Sequence, residues 1–120
     1  MSAPNIINVS TITGKSGGIA LPTTAATELI ANPAASGKVL KINMIQVANV
    51  SGTANCEVTV DLDLSGVPYS LVANLNVPMK ASVVALDKNT SMYLEEGATI
   101  SVTAELASHL EVLVSYEEIS

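Results

Sequence analysis

Apolar and polar side chains alternate along most of this chain, and the alternation is most regular between Cys56 and Leu64. Cysteine, valine and leucine occupy every second position of that run, while one threonine and three carboxylates lie between them. Successive side chains of a β-strand point to opposite faces, so the run predicts a strand with one buried face and one solvated, acidic face. A helix would scatter these apolar residues, because its period is close to 3.6 residues.

Other alternating or β-branched runs lie on both sides of this strand, separated by turn residues. The short spacing favours antiparallel neighbours, since parallel strands need crossovers of about a dozen residues or more. We therefore predict an all-β protein, an antiparallel two-sheet β-sandwich of Greek-key or jelly-roll type with eight or nine strands. The other predicted strands are residues 5–13, 25–31, 38–50, 69–77, 82–86, 92–94, 99–106 and 109–119, with a further short run at 19–21.

Two glycine-containing segments are predicted as loops. Residues 14–18, Gly-Lys-Ser-Gly-Gly, read as a flexible loop, and residues 51–55 read as a hairpin loop. The chain of 120 residues suits one domain. The paired glycines at the end of the first loop suggest a hinge, which divides the chain into an N-terminal strand or arm, residues 1–18, and a β-sandwich domain, residues 19–120.

The strand predicted at residues 38–50 changes phase part-way along. Its apolar positions begin as Leu40, Ile42 and Met44 and continue as Ile45 and Val47. Such a change indicates either a β-bulge or a strand that is buried on both faces. The second alternative would leave apolar surface for a subunit interface. The candidate interface residues, with those of the N-terminal segment, are Ile6, Ile7, Val9, Met44, Ile45 and Val47.

The core is expected to be light, because the chain contains no tryptophan and no phenylalanine. Small sheets with light cores often gain stability by oligomerising. The inward positions of the alternating runs give the predicted core: Leu40, Ile42, Val58, Val60, Leu62, Leu71, Leu75, Ile100, Val102, Val112 and Val114.

The charge balance excludes several classes of partner. The chain has five lysines, no arginine and eleven acidic residues, and its formal net charge is −6. Nucleic-acid binding needs a basic surface and base readout relies on arginine, so we expect no nucleic-acid partner. An acidic protein is also unsuited to an anionic membrane.

Cysteine content and hydropathy indicate where the chain is made. A single cysteine, Cys56, allows no internal disulfide framework. We recognise no secretory signal and no apolar run long enough to span a membrane. The chain is therefore expected to be made in a cytoplasm and to remain soluble.

The residues that carry chemistry do not form a recognisable catalytic or cofactor motif. Cys56 and His109 are the one thiol and the one imidazole, and neither lies in a nucleophile's loop. Glu57, Asp61 and Asp63 share one strand face, where carboxylates two residues apart are roughly 7 Å apart. They suit either a solvated face or a Ca²⁺ ion, and the spacing of known calcium loops is missing. We expect no enzyme activity, no cofactor and no metal.

Glycan binding is left open by the tyrosines. Sugar-binding clefts usually carry aromatic platforms, and without tryptophan or phenylalanine only Tyr69, Tyr93 and Tyr116 can supply them. Paired carboxylates for sugar hydrolysis are present, but a glycosidase would also want such platforms.

Several segments together resemble the small all-β virion structural proteins of tailed bacteriophages, in particular those of marine and cyanobacterial phages. The resemblance covers about residues 30–120 and rests on strands and turns, not on catalytic residues. The segments that carry it are residues 36–43 (Ser-Gly-Lys-Val-Leu-Lys-Ile-Asn), 47–49, 58–61, 75–78, 87–88, 93–97, 100–104 and 115–119.

The resemblance implies a particle component present in many copies. The favoured role is a capsid decoration, or cement, protein that acts as a homotrimer, binds the outer surface of the head and stabilises it. Its partner would be the major capsid protein or another virion protein, and its location the virion after synthesis in the host cytoplasm. The alternatives are a tail, neck or fibre-associated component and a receptor- or glycan-binding module.

Overall fold

The computed structural model describes residues 11–120, which form two antiparallel β-sheets packed face to face. The predicted fold class, an all-β sandwich with eight or nine strands, is confirmed. A single turn of 3₁₀ helix, Lys88–Thr90, begins with a capping box in which the Asp87 side chain accepts from the Asn89 and Thr90 amides. The nine strands are β1 (Ile12–Ala20), β2 (Thr27–Ala31), β3 (Val39–Asn49), β4 (Cys56–Leu64), β5 (Val67–Val77), β6 (Ser82–Leu86), β7 (Met92–Leu94), β8 (Thr99–Ala104) and β9 (Leu110–Ile119).

The strand order is that of a jelly roll. The first sheet has the order β1-β9-β3-β6, with the short β7 also paired to β3, and the second sheet has the order β2-β8-β4-β5. The pairs β1–β9, β2–β8, β3–β6 and β4–β5 follow one another along a single long ribbon that is rolled so that its two halves face each other. The tip of the ribbon is a two-residue turn in which Ser65 and Gly66 both have positive φ.

The loop at residues 51–55 is not a hairpin loop, and that prediction is wrong. The strand before it, β3, belongs to the first sheet, and the strand after it, β4, belongs to the second. Both strands carry fully buried apolar residues, such as Val47 and Val58. The loop therefore crosses from one sheet to the other, so that these residues meet in the core instead of lying side by side.

The phase change in β3 is a β-bulge, the first of the two predicted alternatives. The register of β3 against β9 shifts between Ile42 and Met44, so that Asn43 is the extra residue. The shift returns Ile45 and Val47 to the inner face, where both side chains are fully buried.

Residues 14–18 form part of a strand, which corrects their prediction as a flexible loop. They lie within β1, and every β1 residue is paired with β9 without a register shift. The predicted boundary between residues 18 and 19 falls inside this strand, so Gly17-Gly18 is not a hinge between an arm and the sandwich. Residues 1–10 of the predicted arm lie outside the described part of the chain.

Eight of the eleven predicted core residues are buried, and Leu62, Leu71 and Leu75 pack against the core while partly exposed. The inward face of β5 differs from the prediction. Tyr69 and Ala73 alternate in sequence with the predicted core residues Leu71 and Leu75, but both are exposed. Register shifts against β4 bring Val72, instead of Ala73, opposite Val60, and Tyr69 lies opposite Leu62 near the end of the strand.

Two buried asparagines join strands and loops at separate positions in the sandwich. The side-chain amide of Asn49 donates to the Ala54 and Val77 carbonyls at 3.0 and 2.9 Å, and its Oδ1 accepts from the Ser51 amide at 2.9 Å. Asn32 donates to the Lys38 and Leu94 carbonyls, both at 2.9 Å, in the same manner. Each asparagine thus donates to the carbonyl of the last residue of one strand and to the carbonyl of one loop residue.

Candidate interaction surfaces

The acidic face predicted on β4 forms part of the outer face of the second sheet, which we call the polar face. Its residues are hydroxyl, amide and carboxylate side chains from β8, β4 and β5: Glu57, Thr59, Asp61, Asp63, Ser70, Asn74, Asn76, Thr99, Ser101 and Thr103. Local partners already engage two of its carboxylates. Asp61 accepts from the Ser70 hydroxyl and Asp63 from the Gly66 amide, both at 2.8 Å.

The polar face does not assemble the groups of a metal centre. Across residues 11–120, no three acidic, histidine or cysteine side chains converge as a possible metal site. The neighbours of the β4 carboxylates in the register are serine, threonine, proline and asparagine, which lie on strands β8 and β5.

Cys56 and His109 are both engaged by the connection between β8 and β9. Cys56 is fully buried, and its Sγ accepts from the Leu106 amide at 3.3 Å. The Nδ1 atom of His109 lies 2.7 Å from the Ala107 carbonyl oxygen. The buried thiol therefore behaves as a small core side chain that also satisfies a backbone amide.

The three tyrosines lie on different parts of the sandwich. Tyr69 is exposed near the tip of the β4–β5 ribbon, opposite Leu62, and Tyr93 is exposed on β7, opposite Lys41. Tyr116 packs partly against the core from β9. The structure thus distributes them over both sheets.

The outer face of the first sheet has a different composition, and we call it the small-residue face. Two rows of residues cross the four strands β1, β9, β3 and β6 of this sheet. One row holds Gly18, Leu113, Gln46 and Val84, and the other holds Ala20, Glu111, Ala48 and Ser82.

Two large apolar side chains stand exposed on this face, Val84 on the edge strand β6 and Leu113 on the interior strand β9. Val84 is 55% exposed and Leu113 is 52% exposed. An open hollow of about 320 Å³ lies beside Leu113 over β1, β9 and β3, lined by Gly18, Ala20, Ala48, Glu111 and Leu113 among others. The hollow exists because glycine and alanine leave the sheet backbone uncovered.

The predicted interface residues are separated by the structure. Met44 is half-buried and lies opposite Ser115 on the small-residue face. Ile45 and Val47 are fully buried in the core, so their side chains are not presented at the surface of the subunit. Ile6, Ile7 and Val9 lie outside the described residues.

The sequence does contain a signal for the small-residue face, which strict alternation does not reveal. Val112-Leu113-Val114 and Val83-Val84 place apolar residues at consecutive positions, so one of them must point away from the core. In the structure these outward residues are Leu113 and Val84.

A cluster of three charges ties β1 and the start of β3 to β9. The Glu118 carboxylate accepts from Lys38 Nζ at 2.9 Å and from Lys15 Nζ at 3.1 Å. The hydrogen bond from Lys38, followed by that from Lys15, holds the pKa of Glu118 below its usual value.

Comparison with protein-family models and with curated protein sequences finds no match to this chain. The described residues contain no helix with the length and apolarity to cross a bilayer.

Proposed function

We propose that this chain is a bacteriophage virion structural protein, a decoration subunit that binds the outer surface of the capsid and stabilises it. The observation that carries the proposal is the difference between the two outer faces of the jelly roll. One face is polar, with Asp61 and Asp63 hydrogen-bonded within the chain, and the other exposes Val84 and Leu113 beside glycine, alanine and Glu111.

The small-residue face suits a flat protein partner. Exposed apolar side chains beside an uncovered backbone allow close approach of another surface, and burying them is favourable. The polar face suits contact with water, because it carries hydroxyl, amide and carboxylate groups, and Asp61 and Asp63 already have donors in the same chain. A subunit of this kind can lie with the first sheet against the particle and the second sheet towards the solvent.

Two further features support the capsid surface as the partner. Jelly rolls occur in viral capsid domains, although fold alone does not decide function. The sequence resembles phage virion proteins over about residues 30–120. The proposed partner is the major capsid protein or a neighbouring virion protein, and the role is structural, without catalysis.

The test is binding to purified phage heads that lack their decoration protein. Val84→Lys places a charge on the small-residue face, and Asn76→Lys places the same charge on the polar face, where it lies opposite Glu57. Both residues are exposed on edge strands, so both variants should fold.

We expect Val84→Lys to weaken head binding by about tenfold or more, since a desolvated charge would enter the contact. Asn76→Lys should bind as the unmodified chain does. Equal binding by the two variants would contradict the assignment of the docking face. Binding to purified tails and not to heads would favour a tail, neck or fibre component.

A further inference from the structure

Among the sheet edges in residues 11–120, β1 alone lacks the features that usually prevent a strand from pairing with another chain. The β5 edge carries two register shifts and Asn74 with positive φ. The β2 edge is five residues long and has a register shift, and β6 and β7 are short and separate. The nine residues of β1 contain no proline, no shift and a single charge.

The hydrogen bonds between β1 and β9 identify which backbone groups of β1 point away from β9. Thr11 and Ser120 exchange two backbone hydrogen bonds of 3.0 Å, and the Leu21 amide donates to the Leu110 carbonyl at 3.0 Å. In an antiparallel pair such positions alternate, so the odd-numbered residues bond to β9. The backbone groups that point to the open edge therefore belong to Ile12, Gly14, Ser16, Gly18 and Ala20.

We propose that this edge pairs antiparallel with the same edge of a second copy of the chain, about a two-fold axis at Ser16. Residues with free backbone groups must face each other. The register that uses the whole strand places Ser16 opposite the partner's Ser16, Gly14 opposite the partner's Gly18 and Ile12 opposite the partner's Ala20. A two-fold contact of this kind repeats every interaction twice.

The side chains on the outer face are complementary in this register. Ile12 is 58% exposed, and across the axis it would lie over Ala20 and Gly18 of the partner subunit, which line the hollow. Leu113 already leans over Gly18, with its Cδ2 only 2.9 Å from the position that a Cβ would take there. The pair would therefore bury Ile12 against Leu113 on each side.

Charge also favours this edge. Copies of a chain with net charge −6 repel each other, but the one charged residue of β1 is Lys15, which is paired with Glu118 at 3.1 Å. In the proposed register Lys15 lies opposite the partner's Gly17, so no lysine directly faces a lysine.

The expected pair is weak and reversible. One strand edge with a few outer-face contacts buries less than the roughly 1,200 Å² of a stable interface. The pair would join two first sheets into one sheet and present both small-residue faces on the same side. It does not depend on the proposed function, and its two-fold symmetry differs from the trimer that the phage resemblance implies.

The experiment is disulfide trapping in Ser16→Cys, with oxidised glutathione as the oxidant. The Cα atoms of a hydrogen-bonded antiparallel pair are about 5.5 Å apart, within the range of a disulfide. The control is Thr13→Cys, which is also exposed on the same strand. In the proposed register, position 13 of one chain lies six residues along the strand from position 13 of the other chain, a distance of roughly 20 Å. Cys56 is buried, so it does not compete.

We expect Ser16→Cys to form a covalent dimer at least about tenfold faster than Thr13→Cys. Light scattering of the unmodified chain should show a mass that rises with concentration from 12.3 kDa towards twice that value. Equal trapping rates in the two variants would overturn the pairing. A mass that stays at one chain, or that settles at three chains, would also overturn it.

Discussion

Both outer faces of the sandwich arise from the same alternation of inward and outward residues. They differ in the side chains that they expose to solvent. On the polar face, Asp61 and Asp63 accept hydrogen bonds from Ser70 and Gly66. On the small-residue face, Val84 and Leu113 are more than half exposed. The inner positions of both sheets determine the fold, while the outer positions distinguish a face that suits water from a face that suits a partner.

The contrast is physical because the two kinds of surface respond differently to burial. Removing exposed valine and leucine from water is favourable, at about 25 cal/mol for each Å² of apolar area. Removing carboxylates from water is costly unless hydrogen-bond donors of the partner replace the lost water. The same contact that stabilises a complex through the small-residue face would therefore oppose one through the polar face.

The largest expected effect comes from placing an aspartate on the inner side of β4 and comparing it with an aspartate on the outer side. Val60 is fully buried, whereas the adjacent Thr59 belongs to the polar face and accepts from the Asn74 amide at 3.0 Å. Val60→Asp buries an unpaired charge and should destabilise the fold by at least about 4 kcal/mol. Thr59→Asp keeps an acceptor for that amide and should change the free energy of unfolding by less than about 1 kcal/mol.

Urea unfolding followed by circular dichroism measures both variants. A soluble, cooperatively folded Val60→Asp protein would show that the inner face of the second sheet is wrongly assigned. Loss of folding in Thr59→Asp would show that the polar face tolerates less charge than its exposure indicates.

Much of the fold follows from periodicity because most strands have one buried face. The alternation predicted β4, β8 and β9, and the phase change in β3 gave the bulge at Asn43 as one of two alternatives. The sequence also signals the small-residue face, through consecutive apolar residues that include Leu113. Local pattern is informative wherever burial of one face decides the structure.

The remaining features depend on contacts between distant segments. Residues 14–18 have the composition of a loop, but β9 supplies hydrogen-bond partners that hold them in a strand. Residues 51–55 look like a hairpin loop, although β3 and β4 meet across the core. The inward positions of β5 depend on two bulges that its own sequence does not mark. Candidate interface residues Ile45 and Val47 are buried for the same reason, since one extra residue reverses their direction.

An intermediate effect is expected at Asn49, whose buried side chain joins the end of one strand to neighbouring backbone. Asn49→Ala leaves the Val77 carbonyl and the Ser51 amide without their side-chain partner. We expect a loss of about 2–3 kcal/mol in the free energy of unfolding, the cost of buried groups left unpaired. Asn76→Ala, an exposed position on the polar face, should cost less than about 0.5 kcal/mol. Equal losses would mean that burial of Asn49 does not determine its contribution.

The smallest expected effect concerns charge. Both ion pairs found in residues 11–120 involve Glu118 on the first sheet, whereas Asp61 and Asp63 on the polar face accept hydrogen bonds from neutral donors. Because its folded-state pKa is lowered, Glu118 stabilises the fold above its ordinary pKa of 4.5, and the contribution is lost as pH falls through the lowered value. The lysines are exposed, so we expect less than about 1 kcal/mol.

Glu118→Gln should therefore flatten the decline in stability below about pH 4.5 and change little when salt is added. The control, Glu111→Gln, removes the same charge from an exposed position on the same strand. Thermal unfolding between acid and neutral pH measures both variants. If they flatten the profile equally, net charge and not the Lys15–Glu118–Lys38 cluster accounts for the acid sensitivity. The ion pairs of the first sheet would then contribute no measurable stability.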